Sequence, residues 1–308
     1  MTVLGPRASH LPPEPGISRP NLLSSVGEPR ATDGRWQAGI QYRPLRYNTG
    51  GSVDPCGDVG EGVKTLGDDV ETVQWDPYAI WTEDFCSTLG NDGSDVEARA
   101  RADLDRQSSH KIEEIFWTNT VDGADFGGSH PNISLSDPSI PTSNAATNPG
   151  AGFIWTPNAW DSFPPVRAFS DMIDALTDAL GGVRGMIHVE RRLLPYIAFY
   201  GLAVQNGQRL VTTLHDHIVV PGTGYDGSDP SGNASSENYS WIYGTSMVEV
   251  LISPIDVFGN PAALVDRTNN DYEYRAERMA LAHWDHQAHI GIPVCLEDPA
   301  GDCSDIGS

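Results

Sequence analysis

Residues 271–294, DYEYRAERMALAHWDHQAHIGIPV, leave this chain few options. A charged step, Arg275-Ala276-Glu277-Arg278, leads into an apolar and aromatic run that stops at Ile292-Pro293-Val294. No catalytic motif requires that order of residues. It reads as one long final strand, and such a strand needs a large surface to lie on, in the rest of the chain or in copies of it. The Arg275, Glu277 and Arg278 side chains are then candidates for ion pairs within or between subunits.

The chain has 308 residues, enough for a sizeable core and one or two domains. Abundant glycine (32) and proline (23) favour strands and loops over helix. A formal charge of −23 with only two lysines, Lys64 and Lys111, excludes wrapping of nucleic acid through basic patches. Cys56, Cys86, Cys295 and Cys303 show no CxxC pairing, which argues against structural zinc. Cys295 and Cys303 close a short loop and are a candidate disulfide. The first residues lack an apolar leader core and no run of 18 apolar residues occurs, so neither a signal peptide nor a membrane span is expected. The sequons at Asn132, Asn233 and Asn238 are then chance matches.

Residues 1–33 hold six prolines and little apolar periodicity, and read as an extended arm. Trp36–Tyr47 and Thr72–Trp81 are aromatic, strand-like runs on either side of a Gly- and Asp-rich stretch, Asn48–Asp69: a long two-stranded excursion. Ser94 and Glu97 fit a capping box for a helix running to about Trp117. Its apolar stripe is Val96, Ala100, Leu104, Ile112, Ile115 and Phe116, with Ser108 in the gap. Residues 118–160 form a polar loop region too long for an ordinary connection. A second helix starts around Ser162-Phe163-Pro164-Pro165 and ends at Gly181-Gly182. Its expected buried face is Val166, Phe169, Met172, Ile173, Leu176 and Leu180. Then come a strand at 186–189, a short helix at 190–201, and a hairpin at 202–214 with a type I′ turn at Asn206-Gly207. Strands at 218–220 and 241–252 precede the final one.

Each candidate for chemistry has a plainer reading. Gly222–Gly227 matches GxGxxG after an apolar strand, but loop follows where a nucleotide site needs a helix, so it is a turn. His283, His286 and His289, with Asp285, resemble metal ligands in type. On a strand their spacing of three alternates faces, so the imidazoles do not converge. His215 and His217 share a face of their own segment and are a second, equally weak candidate. No GxSxG elbow is present, and 42 acids make a solvated surface the default for any carboxylate pair.

The order of elements resembles the HK97-fold major capsid proteins of tailed bacteriophages. The residues that carry the likeness are Met186-Ile-His-Val, Arg191-Arg192-Leu193-Leu194-Pro195, Gly207–Leu214, Ile218–Tyr225, Trp241-Ile-Tyr-Gly and Arg275–Ala282 ending at Ile292-Pro-Val. Glu114-Ile-Phe-Trp-Thr118 looks like the end of the corresponding helix in actinobacterial phages. The resemblance implies an α+β fold: an N-terminal arm (1–33), an E-loop β-hairpin with adjoining strands (34–90), a long spine helix with a peripheral-domain insertion (91–162), an axial domain (163–270), and a returning peripheral strand with an acidic tail (271–308). It implies a non-enzymatic shell protein without cofactor or metal, forming hexamers and pentamers of an icosahedral head around double-stranded DNA. It implies synthesis in the host cytoplasm and residence in the virion, not in a membrane. It also implies a portal and decoration proteins as partners, and a separate scaffolding protein, since no built-in helical scaffold region is visible. An acidic wall also keeps packaged DNA from adhering. Trp36, Tyr42, Tyr47, Lys64, Trp75, Tyr78 and Trp81 are then inter-subunit contact candidates, although the aromatics equally suit an ordinary β-core. Lys64 is further a candidate for an isopeptide to a neighbour's Asn. The alternatives are an encapsulin-like nanocompartment shell and a metal-dependent hydrolase built on the late histidines.

Overall fold

The structure, a computed structural model, describes residues 20–26, 34–42, 73–87, 93–118, 120–121, 124–125, 133, 163–229, 234–259, 265–266, 271–285 and 288–296. A short helix α1 (Leu22–Val26) is followed by a 3-10 turn (Gly34–Ala38) and a two-stranded ribbon of β1 (Ile40–Tyr42) and β2 (Val73–Trp75). Trp36 lies on the 3-10 turn and not on a strand. The tip of the excursion, with Tyr47 and Lys64, lies outside the described residues.

Strand β3 (Tyr78–Ser87) leads to the long helix α2 (Gly93–Thr118), which spans the expected helix. Every residue of the expected stripe is buried, and Ser108 fits among them because its hydroxyl donates to the Leu104 carbonyl (2.6 Å). The short pair β4 (Thr120–Val121) and β5 (Ala124–Asp125) follows α2. Helix α3 (Pro165–Ala179) has proline in its first turn, as expected. Its inner face differs in part: Val166 is exposed and Ile173 half-buried, while Pro165 and Ala168 are buried beside Phe169, Met172, Leu176 and Leu180.

After α3 the chain runs through β6 (Met186–Glu190), a 3-10 turn, α4 (Leu194–Phe199), β7 (Ala203–Asn206), β8 (Arg209–Thr212) and β9 (Ile218–Gly222). The β7–β8 hairpin pairs Asn206 with Arg209, so the central turn residues are Gly207 and Gln208. Gly207 has φ 63°, and Gln208 is not in the left-handed region. That is a type II′ turn with glycine first, not the expected type I′.

The segment expected as one strand at 241–252 is two: β10 (Tyr239–Thr245) and β11 (Glu249–Ile252). β12 (Asp256–Phe258) and β13 (Val265–Asp266) follow. The final run is also two strands, β14 (Asp271–His283) and β15 (His289–Cys295). Both breaks are handovers between the same two sheets. β10 and β15 belong to a six-stranded sheet ordered β15-β10-β6-β9-β8-β7, whereas β11 and β14 belong to a five-stranded sheet in which β14 also pairs β3, β12 and β13. The change of sheet therefore falls at 246–248 and 284–288, not at the 270/271 boundary drawn from the sequence.

Side-chain alternation sorts the layers. Ile187, Val189, Val219, Ile242, Ile290, Ile292 and Val294 point from the six-stranded sheet to α3. Met186, Ile218, Val220, Trp241 and Tyr243 point the other way, into the core shared with α2. Tyr274, Ala276, Ala280 and Ala282 of β14 face α2 from the five-stranded sheet, the alanines permitting close approach. Among the described residues, no helix is long and apolar enough to cross a membrane.

Candidate functional site

Glu113 is fully buried on α2 and joins three parts of the chain. One carboxylate oxygen accepts from the Leu22 amide (2.8 Å) of α1. The other accepts from the Thr223 amide (2.6 Å), the Thr223 hydroxyl (2.7 Å) and the Gly224 amide (3.1 Å). The GxGxxG segment is thus a turn pressed onto α2. A Cβ on Gly224 would meet the His110 carbonyl oxygen at 2.4 Å and the Glu114 nitrogen at 2.5 Å. The sequence motif marked close backbone approach, but to a helix and not to a phosphate.

The two handovers touch one another. Ser246 donates to the Asp285 carboxylate, and the Val248 amide donates to Met186 Sδ (3.2 Å). Tyr42, at the root of the excursion, donates to the Trp284 carbonyl and receives a bond from Trp75 Nε1 (3.3 Å). Buried beneath them is His188. The Thr245 hydroxyl donates to the Ser246 carbonyl (2.8 Å), so it accepts from His188 Nε2–H (2.9 Å), and Tyr225 donates to His188 Nδ1 (3.0 Å). This fixes a neutral imidazole. Burial, helped by nearby His289, lowers the His188 pKa to about 3.

The late histidines do not share a site. His283 lies 3.5 Å from Glu249, with its pKa lowered by burial against the opposing pull of Glu249 and Asp285. His289 is buried on the other sheet and donates from Nε2 to the Ile133 carbonyl (2.7 Å). His286 lies outside the described residues. His215 and His217 stack with ring centroids 6.2 Å apart, but His217 Nδ1 accepts from the Gly185 amide (3.0 Å) and its Nε2 lies 3.2 Å from the Thr177 hydroxyl. Among the described residues no group of three His, Cys, Asp or Glu side chains is arranged to hold a metal. Cys295 is disulfide-bonded, and Cys303 lies outside the described residues.

The aromatic candidates divide. Trp36 and Trp75 are buried against Leu251 and Leu281 on the outward face of the five-stranded sheet, with Tyr42 packed beside them. Tyr78 is buried on the opposite face, toward α2. These four side chains are packed within the chain. Trp81 is 47% exposed. Arg275 lies over its ring at 4.8 Å and pairs with Glu277 at 3.4 Å. Arg278 points inward, to Asp105 (3.3 Å), the Ser108 hydroxyl (3.2 Å) and the Ser253 carbonyl (3.2 Å).

The strand register assembles a surface that the sequence did not single out. Trp81 pairs with Glu277, and Phe85 with Glu273, while Phe258 pairs with Arg275, so all six side chains share the outward face. Phe85 is 73% and Phe258 52% exposed. The same face is therefore sealed at its Leu281 end by Trp36 and Trp75, and bare at its Glu273 end. Phe85 was legible only as one residue of a strand. Phe258 becomes its neighbour through β14, which is distant from both in sequence.

No protein-family profile matches the sequence, and no curated protein matches it. Solved structures do. The capsid of a native GTA particle superposes with a TM-score of 0.58 at 12% identity, covering 95% of each chain. The capsid of Ralstonia phage GP4 gives 0.53 at 9% identity, covering 97% of each. Microbacterium phage Oxtober96 gives 0.51 at 12% identity, covering 94% of this chain and 95% of that one. This chain has the α+β fold of those three structures along nearly its whole length.

Proposed function

We propose that this chain is a major capsid protein, assembling as hexamers and pentamers into an icosahedral phage head that encloses double-stranded DNA. The carrying observation is likeness to the GTA capsid subunit over 95% of both chains. A shell of identical chains needs heterologous contacts repeated around local axes, and a half-bare aromatic sheet face suits that need. In this reading residues 1–33 are the arm, 34–90 the E-loop and adjoining strands, and α2 the spine. The five-stranded sheet is the peripheral domain, and the six-stranded sheet with α3 and α4 the axial domain. Trp81, Arg275 and Glu277 make inter-subunit contacts, with Tyr47 and Lys64 on the E-loop. Trp36, Tyr42, Trp75, Tyr78 and Arg278 serve those contacts from within by fixing the strands that carry them. The protein passes from the host cytoplasm to the virion with a scaffolding protein, a portal and decoration proteins as partners.

Electron microscopy of the purified native particle tests this. DNA-filled icosahedral heads are expected. Small shells around a protein cargo, or a discrete oligomer containing zinc, would overturn it.

A further inference from the structure

The corner where α3 hands over to the six-stranded sheet is closed by His217, which lies just before β9 with its side chain 1% exposed. Its Nδ1 accepts from the Gly185 amide (3.0 Å). The Thr177 hydroxyl of α3 donates to the Ile173 carbonyl (2.7 Å), so it accepts from His217 Nε2–H (3.2 Å). Both ring nitrogens are therefore occupied in the neutral form. The Gly185 peptide is held from its other end as well, where its carbonyl accepts from the Ile218 amide (3.0 Å). It has no room to shift: a Cβ there would meet the Thr245 carbonyl oxygen at 2.7 Å and Leu180 Cδ1 at 2.8 Å.

The turn that delivers this ring is strained. His215 (φ 63°) and Asp216 (φ 54°) are consecutive left-handed residues without a glycine, a conformation that persists only where the surroundings enforce it. His217 and Thr212 supply the enforcing bonds. The Thr212 amide donates to the His217 carbonyl (2.8 Å), the His217 amide to Thr212 Oγ1 (3.0 Å), and the Thr212 hydroxyl to the Leu214 carbonyl (2.5 Å). The tip they hold, residues 213–216, is exposed, and Leu214 is 68% exposed. Charges around the ring come from three sides. His215 stacks on it at 6.2 Å, and Arg184 pairs with Asp216 at 3.8 Å. His215 and Arg184 oppose a charge on the ring, and Asp216 favours one. From α3 the ring meets the Thr177 hydroxyl, with Asp174 and Asp178 exposed on the turns beside it, and β8 brings the uncharged Thr212.

We infer that His217 is an acid-released latch: uncharged, it clamps the end of α3 to the β6–β9 corner and holds the left-handed turn, and a proton on Nδ1 lets both go. That proton sets a second donor against the Gly185 amide, so an attractive bond becomes a repulsive one. Burial lowers the His217 pKa from the ordinary 6.5, with His215 and Arg184 adding to the effect. The released form thus binds the proton more readily than the latched form. Latching is at full strength above the ordinary imidazole range and is lost as pH falls below it. The device lies within one chain and does not depend on the shell reading.

The test is hydrogen exchange read by mass spectrometry on the full-length chain between about pH 8 and pH 4, corrected for the intrinsic pH dependence of exchange. Peptides spanning 184–187 and 212–218 should lose protection together, at least tenfold, where the His217 ring takes up its proton, followed by exchange of its Cε1–H. Peptides of α2 around Ile112–Phe116 should keep their protection across that step. His217→Gln retains one donor and one acceptor but cannot charge, and should abolish the step. His215→Asn removes a repelling charge and should move the step to higher pH, while Asp216→Asn removes an attracting one and should move it to lower pH. Asparagine tolerates the left-handed conformation at both places, so these two variants decide the matter should His217→Gln fail to fold. A ring that charges without loss of local protection, a ring that stays neutral throughout, a step that persists in His217→Gln, or simultaneous loss of protection in α2 overturns the inference. So do His215→Asn and Asp216→Asn shifts in the same direction.

Discussion

The two sheets of this protein are finished to different degrees. The six-stranded sheet is covered on both sides, by α3 on one and by the core around α2 on the other. Its strands β6, β9 and β15 are buried along nearly their full lengths. The five-stranded sheet is covered completely only on the α2 side. Its outward face is sealed at one end by Trp36 and Trp75 and leaves Phe85 73% exposed at the other. A chain that folded for its own sake would gain by covering that ridge at ~25 cal/mol per Å2 of apolar surface. The contrast leaves part of the second sheet's outward face as apolar surface that folding of the described residues does not cover.

The sharpest way to break that contrast is to cut the link between α1, α2 and the six-stranded sheet. Glu113→Ala strands three backbone amides and a hydroxyl in a buried site. It should destabilise the unassembled chain by about 4 kcal/mol, read as a lower urea midpoint. A loss under about 1 kcal/mol would show that α1 and the Thr223 turn do not depend on the carboxylate. Next is the sealed end of the outward face. Trp75→Ala, at a side chain 4% exposed, should cost roughly 3 kcal/mol. If it costs nothing, the sealed end is as optional as the bare one.

A smaller effect depends on pH. His188 is held neutral, with its pKa lowered to about 3 from the usual 6.5. Because the unfolded chain binds this proton more readily, its contribution to stability is lost as pH falls below the unfolded value, with the loss complete near pH 3. Between pH 7 and pH 5 the loss should be roughly 2 kcal/mol. His188→Gln keeps one donor and one acceptor but cannot charge. The pH dependence of the wild-type urea midpoint minus that of the variant isolates the imidazole from the many carboxylates. Parallel curves would show that His188 is not the group that titrates.

What the sequence made legible follows from how local each signal is. The α2 stripe from Val96 to Phe116 and the buried run at Met186–Val189 are local patterns, and they appear where expected. The breaks at 246–248 and 284–288 were not legible. Neither Ser246-Met247-Val248 nor Trp284-Asp285-His286-Gln287-Ala288 contains a glycine or proline to mark a break, which exists because the strands on either side pair in different sheets. The left-handed pair His215 (φ 63°) and Asp216 (φ 54°) has no glycine to announce it. Glu113 could not be told from the half-buried Glu114 beside it, because its partners lie 91 to 111 residues away. Site candidates suffered in the same way. Aromatic content marked Trp36, Trp75, Tyr78 and Trp81 alike, and only tertiary packing separates the three buried side chains from the half-exposed Trp81.

The smallest expected effect on the free chain is the most discriminating. Arg275 touches Trp81 and Glu277 at the surface, where a cation–π contact and an ion pair contribute about 0.5–1 kcal/mol. Arg275→Ala and Phe85→Ser should therefore move the urea midpoint of the unassembled chain by amounts equivalent to less than about 1 kcal/mol. If the bare half is an assembly surface, the same substitutions should sharply reduce particle yield, because each is repeated at every equivalent contact of a shell. Trp75→Ala should show the opposite balance, lowering chain stability first and assembly only as a consequence. Measuring both quantities for all three variants separates the two ends of one sheet face. Normal particle yield from Phe85→Ser would remove the bare ridge from the assembly contacts and leave its exposure without a structural purpose.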